Sequence, residues 1–444
     1  MGAAMRPKIS SLCRFTSRSC PMPSSLESSA GTLAAAKTRS SARRLWFDLH
    51  SWIGMNLCLL LSFIFCTGTL AVVATEIDWL IEPAMRVTPQ DRQASWGEML
   101  AAAEREHPGL RLRSLAAPHG ERFAAEALMR QDNGELLRVW VNPHTAKVTG
   151  QSSWWSAQRW LRDTHRNLML PPKYGVPLVA LLSIPLLLMV VSSLYIYKRW
   201  WRGFLAWPRK GKPRLTWGDV HRLAGVWSLG FMLLIGLTAF WYLVESLGAK
   251  APLPPAIVQL KGAATHAPLA AQDVDRAISA AQAAWPDLKI SSVRPSPNGK
   301  ALLLEGQANG WLLRERANVI GVEIASGAIL GRNDGQDMSV HQRVGEAADP
   351  IHFGTFGGWP VRALWCFFGI LLTTLSLTGA YLYGIRIAES ARTALKRRGA
   401  PAGAPHSRDP SAWGAAWRRM GRWRWLAGGL LGMWLALVLI QALK

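Results

Sequence analysis

The sequence predicts a membrane protein: an α-helical bundle of four core transmembrane helices plus a fifth C-terminal helix, with two duplicated small α+β domains outside the membrane. Three observations support this fold class. Half of the 444 residues are hydrophobic and only 18% are charged, and several apolar runs exceed the roughly 18 residues that suggest a spanning helix. Basic residues cluster beside these runs. The order of elements is also repeated once along the chain.

The apolar runs and the basic clusters between them define the predicted topology. The net charge is +23, and no nucleic-acid motif accompanies it, so we attribute the charge to loops on the cytoplasmic side of a membrane. Arg43 and Arg44 precede the first run, which places the N-terminus inside. The predicted transmembrane helices are 43–75, 171–199, 221–246, 356–385 and 425–444. The basic cytoplasmic segments are a loop at 200–220 and a linker at 386–424. The segments 76–170 and 247–355 lie outside.

Residues 1–42 and the cysteines add little chemistry. The first 42 residues are rich in Ser, Ala, Lys and Arg and have no apolar core of signal-peptide type. They indicate a disordered basic cytoplasmic tail, or a start site placed too far upstream. The five cysteines show no C-x-x-C or C-x-x-C-H spacing, which argues against covalent c-type haem and thiol zinc sites. The two outside segments contain no cysteine, so no disulfide stabilises them.

An internal duplication covers about 46–385. His50 and His221 are 171 positions apart, and His165 and His352 are 187 apart. In the outside segments, residues 95–115 align without gaps on residues 273–293. Each unit is therefore a helix, an outside segment, a histidine and a second helix.

Each outside segment has the same predicted pattern, a helix followed by four strands. Amphipathic helices are expected at 95–106 and 273–284, each followed by a proline. Alternating apolar residues with turn signals between them predict the strands. In the first segment they are 110–116, 122–130, 136–142 and 146–150; in the second they are 288–294, 300–306, 311–317 and 319–324.

Four of the ten histidines lie at membrane helix ends, where ionisable groups are costly and are functional candidates. His50 and His221 open the first and third spans, and His165 and His352 shortly precede the second and fourth. The simpler interpretation is that each histidine lies at the membrane interface without a function. Duplication alone would then explain why both repeats contain it. The other histidines are interpreted as surface residues, except His341, which is a candidate either to support a ligating histidine or to replace one. The surface group is His107, His119, His144, His266 and His406.

Membrane thickness decides how these four histidines pair. The hydrocarbon core is about 30 Å thick, so His50 and His165, at opposite faces, cannot bind one metal. The expected pairs are His50 with His221 inside and His165 with His352 outside. Two neutral imidazoles suit the axial positions of a haem iron, whereas zinc prefers four ligands. The prediction is two non-covalent b-type haems. Asp48 and Asp219 would orient the imidazoles, pair with the basic loop, or cap the helices.

Several motifs together resemble the PepSY-associated transmembrane family, which includes iron-regulated membrane proteins and siderophore-iron reductases. They are the D-x-H-x-x-x-G helix starts at 48–54 and 219–225, the N-P-x-T-G-like turn at 142–146, and H-x-G-x-x-G-G at 352–358. The resemblance covers about 44–386. It implies PepSY-like periplasmic domains, the bacterial inner membrane, and a ferric siderophore or other periplasmic electron acceptor. The chain departs from the family pattern in having Ala146 where Gly is usual, in its fifth span and in its long N-terminal tail.

Two functions follow as hypotheses. The first is a di-haem electron-transfer protein that acts as a haem-dependent ferric-siderophore reductase. The sequence does not identify its electron donor. The second is a non-enzymatic, membrane-anchored PepSY protein that binds or regulates envelope peptides or peptidases. No G-x-G-x-x-G fingerprint occurs, so a built-in NAD(P)H or flavin site is not predicted. The expected partners are the lipid bilayer and the acceptor, with no nucleic acid.

Overall fold

The chain is a multi-pass membrane protein. The structure is a computed structural model that describes residues 24–252, 269–397 and 411–442. Within these ranges, five helices are long and apolar enough to cross a membrane, in agreement with the five predicted spans. They are Ala42–Val72, Pro172–Ile196, Pro213–Ala249, Thr355–Thr393 and Trp423–Gln441.

The described elements comprise membrane helices, shorter helices and strands. The helices are α1 Ser24–Val72, α2 Ala74–Ile81, α3 Trp96–Glu106, α4 Ala157–Asn167, α5 Pro172–Ala180, α6 Ser183–Ile196, α7 Pro213–Val244, α8 Ala271–Ala284, α9 Val340–Phe353, α10 Gly358–Arg397, α11 Ala412–Arg419 and α12 Trp423–Ala442. The strands are β1 Arg111–Ala116, β2 Ala125–Arg130, β3 Leu136–Val141, β4 Val148–Ser153, β5 Lys289–Pro295, β6 Ala301–Gln307, β7 Asn318–Glu323 and β8 Ile329–Asn333.

Four of the spans pack around a shared apolar interior, and the fifth lies against one of them. Leu186, Ala224, Met232 and Leu372 form a buried cluster that joins α6, α7 and α10, and α1 packs along α10. The helix α12 meets α1 through aromatic contacts such as the edge-to-face pair Phe63–Trp434. Only 6% of its most apolar stretch is buried, against 28–39% in the other four, so α12 buries little of its surface against the bundle.

The second span is broken where one continuous helix was expected. The helix α5 ends at Ala180 and α6 begins at Ser183. Proline lacks a backbone N–H and its ring clashes with the preceding helical turn. Pro177 lies inside α5, and Pro185 cannot donate to the carbonyl group of Leu181, which accepts instead from the N–H of Ile184 at 3.2 Å in a tighter turn. The two prolines explain the break.

The outside segments share one antiparallel sheet of eight strands, ordered β4-β3-β2-β1-β5-β6-β7-β8. The sequence suggested two separate small domains, but β1 pairs with β5 and joins them, with Leu115 opposite Val293. This pairing satisfies two strand edges that would otherwise remain open. The helices α3 and α8 cover one face of the sheet, and a single apolar core extends beneath both of them, including Leu100, Met129, Val274 and Leu304. The end of the bundle nearest the sheet is called the sheet end below, and the opposite end is the far end.

The third and fourth strands of the second half differ from the prediction. The expected strand 311–317 does not form; Leu312 has a φ of 57°, which is incompatible with an extended strand, and Glu315–Ala317 is a 3₁₀ turn. The expected strand 319–324 does form as β7, with Val319, Ile320 and Val322 buried, but it is the third strand of this half. The fourth strand, β8, was not predicted. The apolar residues at 311–313 resembled a strand in composition but lie in the loop that precedes β7.

Two segments predicted as a tail and a linker contain helix. The helix α1 begins at Ser24, so residues 24–42 extend the first span rather than forming a disordered tail. They contain no proline and follow on without interruption, so they need no new helix nucleus. Likewise α10 continues to Arg397 and α11 lies inside the predicted linker 386–424. Residues 1–23 of the predicted tail and 398–410 of the linker lie outside the described ranges.

One turn is repeated in the two halves with different residues. Ala146, where the family usually has Gly, has a φ of 51°, and Gly327 occupies the matching turn before β8 with a φ of 73°. A residue with a Cβ atom is strained in this left-handed region, whereas glycine is not. A Cβ atom on Gly327 would meet only ordinary contacts with the Arg276 side chain, at 3.5 Å. The cost of alanine in this turn is therefore a backbone cost.

We expect Ala146→Gly to stabilise the β3–β4 hairpin by about 1 kcal/mol, because glycine relieves the left-handed strain. The reciprocal change, Gly327→Ala, should destabilise the β7–β8 hairpin by a similar amount. Native-state hydrogen exchange of the two hairpins in the full-length protein measures both effects. Equal protection in the wild type and in both variants would contradict this account of the turn.

Candidate cofactor site formed by two histidine pairs

The far-end pair, His50 on α1 and His221 on α7, lines one cavity between the membrane helices. The cavity has a volume of about 450 Å³ and a mostly apolar wall. It extends from His50 to Phe65, about 22 Å along α1 at 1.5 Å per residue. Its other lining residues include Gly54, Leu61, Met189, Met232, Leu372, and, at the far end, Phe47, Arg214 and Arg386.

Each far-end histidine is hydrogen-bonded to a hydroxyl group on the second span of its own repeat. His50 Nδ1 lies 2.9 Å from Ser192 Oγ, and His221 Nδ1 lies 3.0 Å from Thr378 Oγ1. Both hydroxyl groups already donate their proton to backbone carbonyl groups of their own helices. They therefore accept from the imidazoles, and Nδ1 carries the ring proton in both histidines.

The sheet-end pair, His165 on α4 and His352 on α9, is anchored in the same way. His165 Nδ1 lies 3.0 Å from the carbonyl oxygen of Ile64, which can only accept. His352 Nδ1 lies 2.8 Å from Thr238 Oγ1, whose proton goes to backbone carbonyl groups of α7. In all four histidines, Nδ1 is thus the donor and Nε2 keeps its lone pair.

The sheet-end rings have a spacing that suits one shared metal. Their centroids are 6.2 Å apart, with 39° between the ring planes. A metal bound linearly by two imidazoles, at about 2.0 Å from each nitrogen and about 1.2 Å more to each ring centre, sets the centroids about 6.4 Å apart. The two rings are therefore close enough to share one metal, and each keeps a lone pair on Nε2.

Burial keeps the sheet-end imidazoles neutral. Burial lowers the pKa of His165, and burial together with the nearby His165 ring lowers the pKa of His352 to about 3. Neither ring is therefore protonated at neutral pH, and the lone pair on each Nε2 is available to a metal.

Two glycines allow helices to approach the histidine rings. A Cβ atom on Gly68 of α1 would lie 2.6 Å from Cε1 of His165, closer than real contacts allow. A Cβ atom on Gly379 of α10 would lie 3.1 Å from Cε1 of His221. Each glycine thus makes room for an imidazole that is bonded to a neighbouring helix.

An ion-pair network connects the sheet to the sheet-end pair. Arg314, in the loop between β6 and β7, pairs with Glu346 and Asp349 of α9, at 2.6 Å each. Tyr242 of α7 donates a hydrogen bond to Asp349 at 2.5 Å, and its ring packs edge-on against His352. Burial opposes ionisation of Asp349, but Arg314 and Tyr242 outweigh it and hold the pKa of this carboxyl below its usual value.

The donor set is too small for a bare metal ion. Among the described residues, no group of three or more His, Cys, Asp or Glu side chains is placed to hold a metal. Zinc sites use four protein ligands, or three and a water. A donor set of two imidazoles instead suits a metal that brings its remaining ligands with it.

The structure places the remaining predicted residues as follows. Asp219 is buried and pairs with Arg209 and Arg222. Since Arg209 belongs to the basic loop, Asp219 pairs with that loop and does not orient His221. Asp48 is exposed. His341 is bonded through Nε2 to the carbonyl oxygen of Ala249 and lies away from both pairs.

One surface assignment was wrong. His144 is only 4% exposed, because its turn packs beneath the segment before α3 and the ring bonds to the carbonyl oxygen of Arg92. His107 is partly buried at the end of α3, and His119 lies against Phe123. His266 and His406 fall outside the described ranges.

Sequence reasoning missed the residues that anchor the histidines. Ser192 and Thr378 occupy matching places, one residue before the matched Ser193 and Gly379 in the two repeats. Hydroxyl side chains within apolar spans, at equivalent positions of both repeats, were the available signal. Gly68 carried no such signal, because glycines are common in membrane helices.

Comparison with known proteins identifies relatives of this chain. The sequence profile described as PepSY-associated TM region matches residues 38–386. An uncharacterized protein of Pseudomonas aeruginosa is 27% identical over 248 residues, which are 50% of this chain and 62% of that protein. The aligned region therefore spans less than two thirds of that relative's length.

Replacing Gly68 with alanine should displace His165, because the added Cβ atom overlaps its ring. We expect a loss of about 1–3 kcal/mol of stability, typical of overpacking, and greater modification of His165 by a histidine-specific reagent. Gly230→Ala is the matched control, since nothing lies within 4 Å of that position. Thermal unfolding in detergent and mass-spectrometric footprinting measure both variants. If Gly68→Ala and Gly230→Ala behave alike, the close packing is unimportant.

Proposed function

The chain belongs to the family described as PepSY-associated TM region, and we propose that it is a membrane electron-transfer protein with two non-covalent b-type haems. His50 and His221 would hold one haem, and His165 and His352 the other. The observation that carries the proposal is that all four histidines bond through Nδ1 to neighbouring helices and keep Nε2 free. Bound haem would supply one-electron exchange between Fe(III) and Fe(II).

The residues present fit this cofactor in three respects. Each donor set has two imidazoles, which would supply the two protein ligands of a haem iron. The far-end cavity of about 450 Å³ falls in the usual range of cofactor pockets, roughly 300–1,000 Å³. Arg386 lines its far end, where its guanidinium group would pair with a carboxylate of the cofactor; Arg214 beside it pairs with Glu389 at 2.5 Å.

The protein itself would fix and tune the ligands. The Nδ1 hydrogen bonds set the tautomer and the ring orientation, and such bonds also increase the basicity of the ligating nitrogen. The apolar lining, which includes Leu61, Phe65 and Leu372, would exclude water and so limit side reactions of the reduced metal.

The two pairs are separated along the bundle axis, as transfer across a membrane requires. His50 and Ile64, which binds His165, both lie on α1, about 21 Å apart along the helix. The cavity that begins at His50 reaches Phe65, the neighbour of Ile64. Electrons would enter at the far-end pair and leave at the sheet-end pair.

The sidedness of the membrane follows from the basic segments. With the N-terminus cytoplasmic in a bacterial inner membrane, the basic segments at the far end face the cytoplasm. The eight-stranded sheet would then be a pair of PepSY-like periplasmic units that present the acceptor to the sheet-end pair. Membership in the family suggests a ferric siderophore, reduced from Fe(III) to Fe(II) for release.

The purified protein should show a dithionite-reduced-minus-oxidised spectrum of b-type haem, and His50→Ala and His165→Ala should each remove about half of the haem. Half is expected because each variant disables one pair and leaves the other intact. A folded but colourless wild-type protein would refute the proposal and favour a non-enzymatic binding or regulatory role. Loss of all haem, or of none, in either variant would refute the pairing.

Replacing Thr378 with valine should weaken haem binding at the far end roughly 10–100-fold, as loss of a partner of a metal ligand does. Valine keeps the shape of threonine but cannot accept the hydrogen bond from His221. Thr373→Val on the same helix is the control, since that hydroxyl group donates only to the carbonyl oxygen of Gly369. Haem transfer to apomyoglobin measures the loss. Equal haem retention in the two variants would show that the hydrogen bond has no influence.

A further inference from the structure

The two sheet-end histidines have oppositely charged residues at the same relative position. Arg162 lies three residues before His165 on α4, and Asp349 lies three residues before His352 on α9. Residues three apart occupy the same side of a helix, about 5–6 Å apart between Cβ atoms. Each charge therefore lies beside its histidine, one turn towards the sheet.

The negative charge is already neutralised within the protein. Asp349 accepts a hydrogen bond from Tyr242 and pairs with Arg314. Arg314 also binds Glu346, so the second half of the molecule closes this network internally.

The positive charge lacks such a partner. Within the described part of the chain, no hydrogen bond or ion pair joins Arg162 to another residue; Asp163 and Asp349 act on it only from farther away. Asp163 is bound to Arg159 at 2.9 Å. Burial lowers the pKa of Arg162, and the adjacent cations Arg166 and Arg159 lower it further.

A partly buried cation among other cations is costly unless an anion compensates it. The guanidinium group is planar and offers five N–H donors, a geometry that matches a carboxylate with two parallel hydrogen bonds. Arg166, one turn further along α4 and exposed, adds to the positive potential on the same side.

We propose that Arg162 forms a carboxylate-binding site beside the sheet-end histidine pair. This inference rests on the proposed function and deepens it. The carboxylate belongs either to an arm of a cofactor bound between His165 and His352, or to a soluble, carboxylate-bearing iron chelate that accepts the electron. In both cases the anion binds Arg162 on the α4 side, because on the α9 side Arg314 already pairs with Asp349 and Glu346.

The test compares full-length wild-type protein with Arg162→Gln, and uses Arg113→Gln as the control. Arg113 is an exposed arginine on β1, so the control makes the same charge change away from the site. Citrate is the probe, and its binding is measured by calorimetry and by the citrate-induced rise in the unfolding temperature. Haem content and the reduced-minus-oxidised spectrum are measured on the same preparations.

Arg162→Gln should weaken citrate binding about tenfold or more, since hydrogen bonds between charged groups contribute on that order. Arg113→Gln should leave citrate binding unchanged. In the absence of ligand, Arg162→Gln should unfold at the same or a higher temperature, because it removes an uncompensated cation. Arg162→Lys should bind citrate with intermediate affinity, since lysine keeps the charge but not the paired donors.

The outcomes separate the two sources of the carboxylate. Loss of citrate binding with normal haem content assigns the site to a soluble anion. Absence of citrate binding in the wild type, with haem lost on Arg162→Gln but not on Arg113→Gln, assigns it to the cofactor. If Arg162→Gln and Arg113→Gln agree in both measurements, the site does not exist.

Failure of the proposed function has a different signature. A wild-type protein without haem would contradict the electron-transfer proposal, whereas the citrate measurement would still decide whether Arg162 binds a carboxylate.

Discussion

The hydrogen bond from histidine Nδ1 to a neighbouring helix is the interaction on which the candidate sites depend. It fixes which nitrogen carries the proton, turns each ring away from its own helix, and leaves Nε2 unused. The supporting features follow from it: hydroxyl groups inside apolar spans, and glycines that let a helix pass close to a ring. A membrane interior makes this bond decisive, because an imidazole there finds no water to replace a missing partner.

Duplication supplies what one unit lacks. The bonds that orient a histidine lie within its own repeat, His50 with Ser192 and His221 with Thr378, but each pair takes one ring from each repeat. Each repeat thus orients its own histidines, but both repeats are needed to form a histidine pair. The repeats have since diverged near the sheet, where Asp349 is locked into a network and Arg162 is not.

The sequence predicted the features that are periodic or repeated. Five spans and two helices that cover a sheet follow from hydropathy and from alternation. The proximity of the His165 and His352 rings follows from the matching offsets of the two repeats. It did not predict features that depend on tertiary contacts. The joining of the two sheets depends on edges that meet only in space, and burial of His144 depends on a segment about fifty residues away. The left-handed backbone of Leu312 has no signal in the apolar residues around it.

The junction of the sheet also bears on how such a chain arose. The ungapped alignment of the two halves matches Leu115 with Val293, and these same residues face each other across the β1–β5 pairing. A residue that pairs with its own counterpart lies on a two-fold axis, the mark of an isologous interface. A single ancestral unit with this strand would therefore have assembled as a symmetrical homodimer, with its open edge closed by its twin. In such a homodimer every substitution occurs in both subunits. Fusion into one chain would then have allowed each half to change independently of the other.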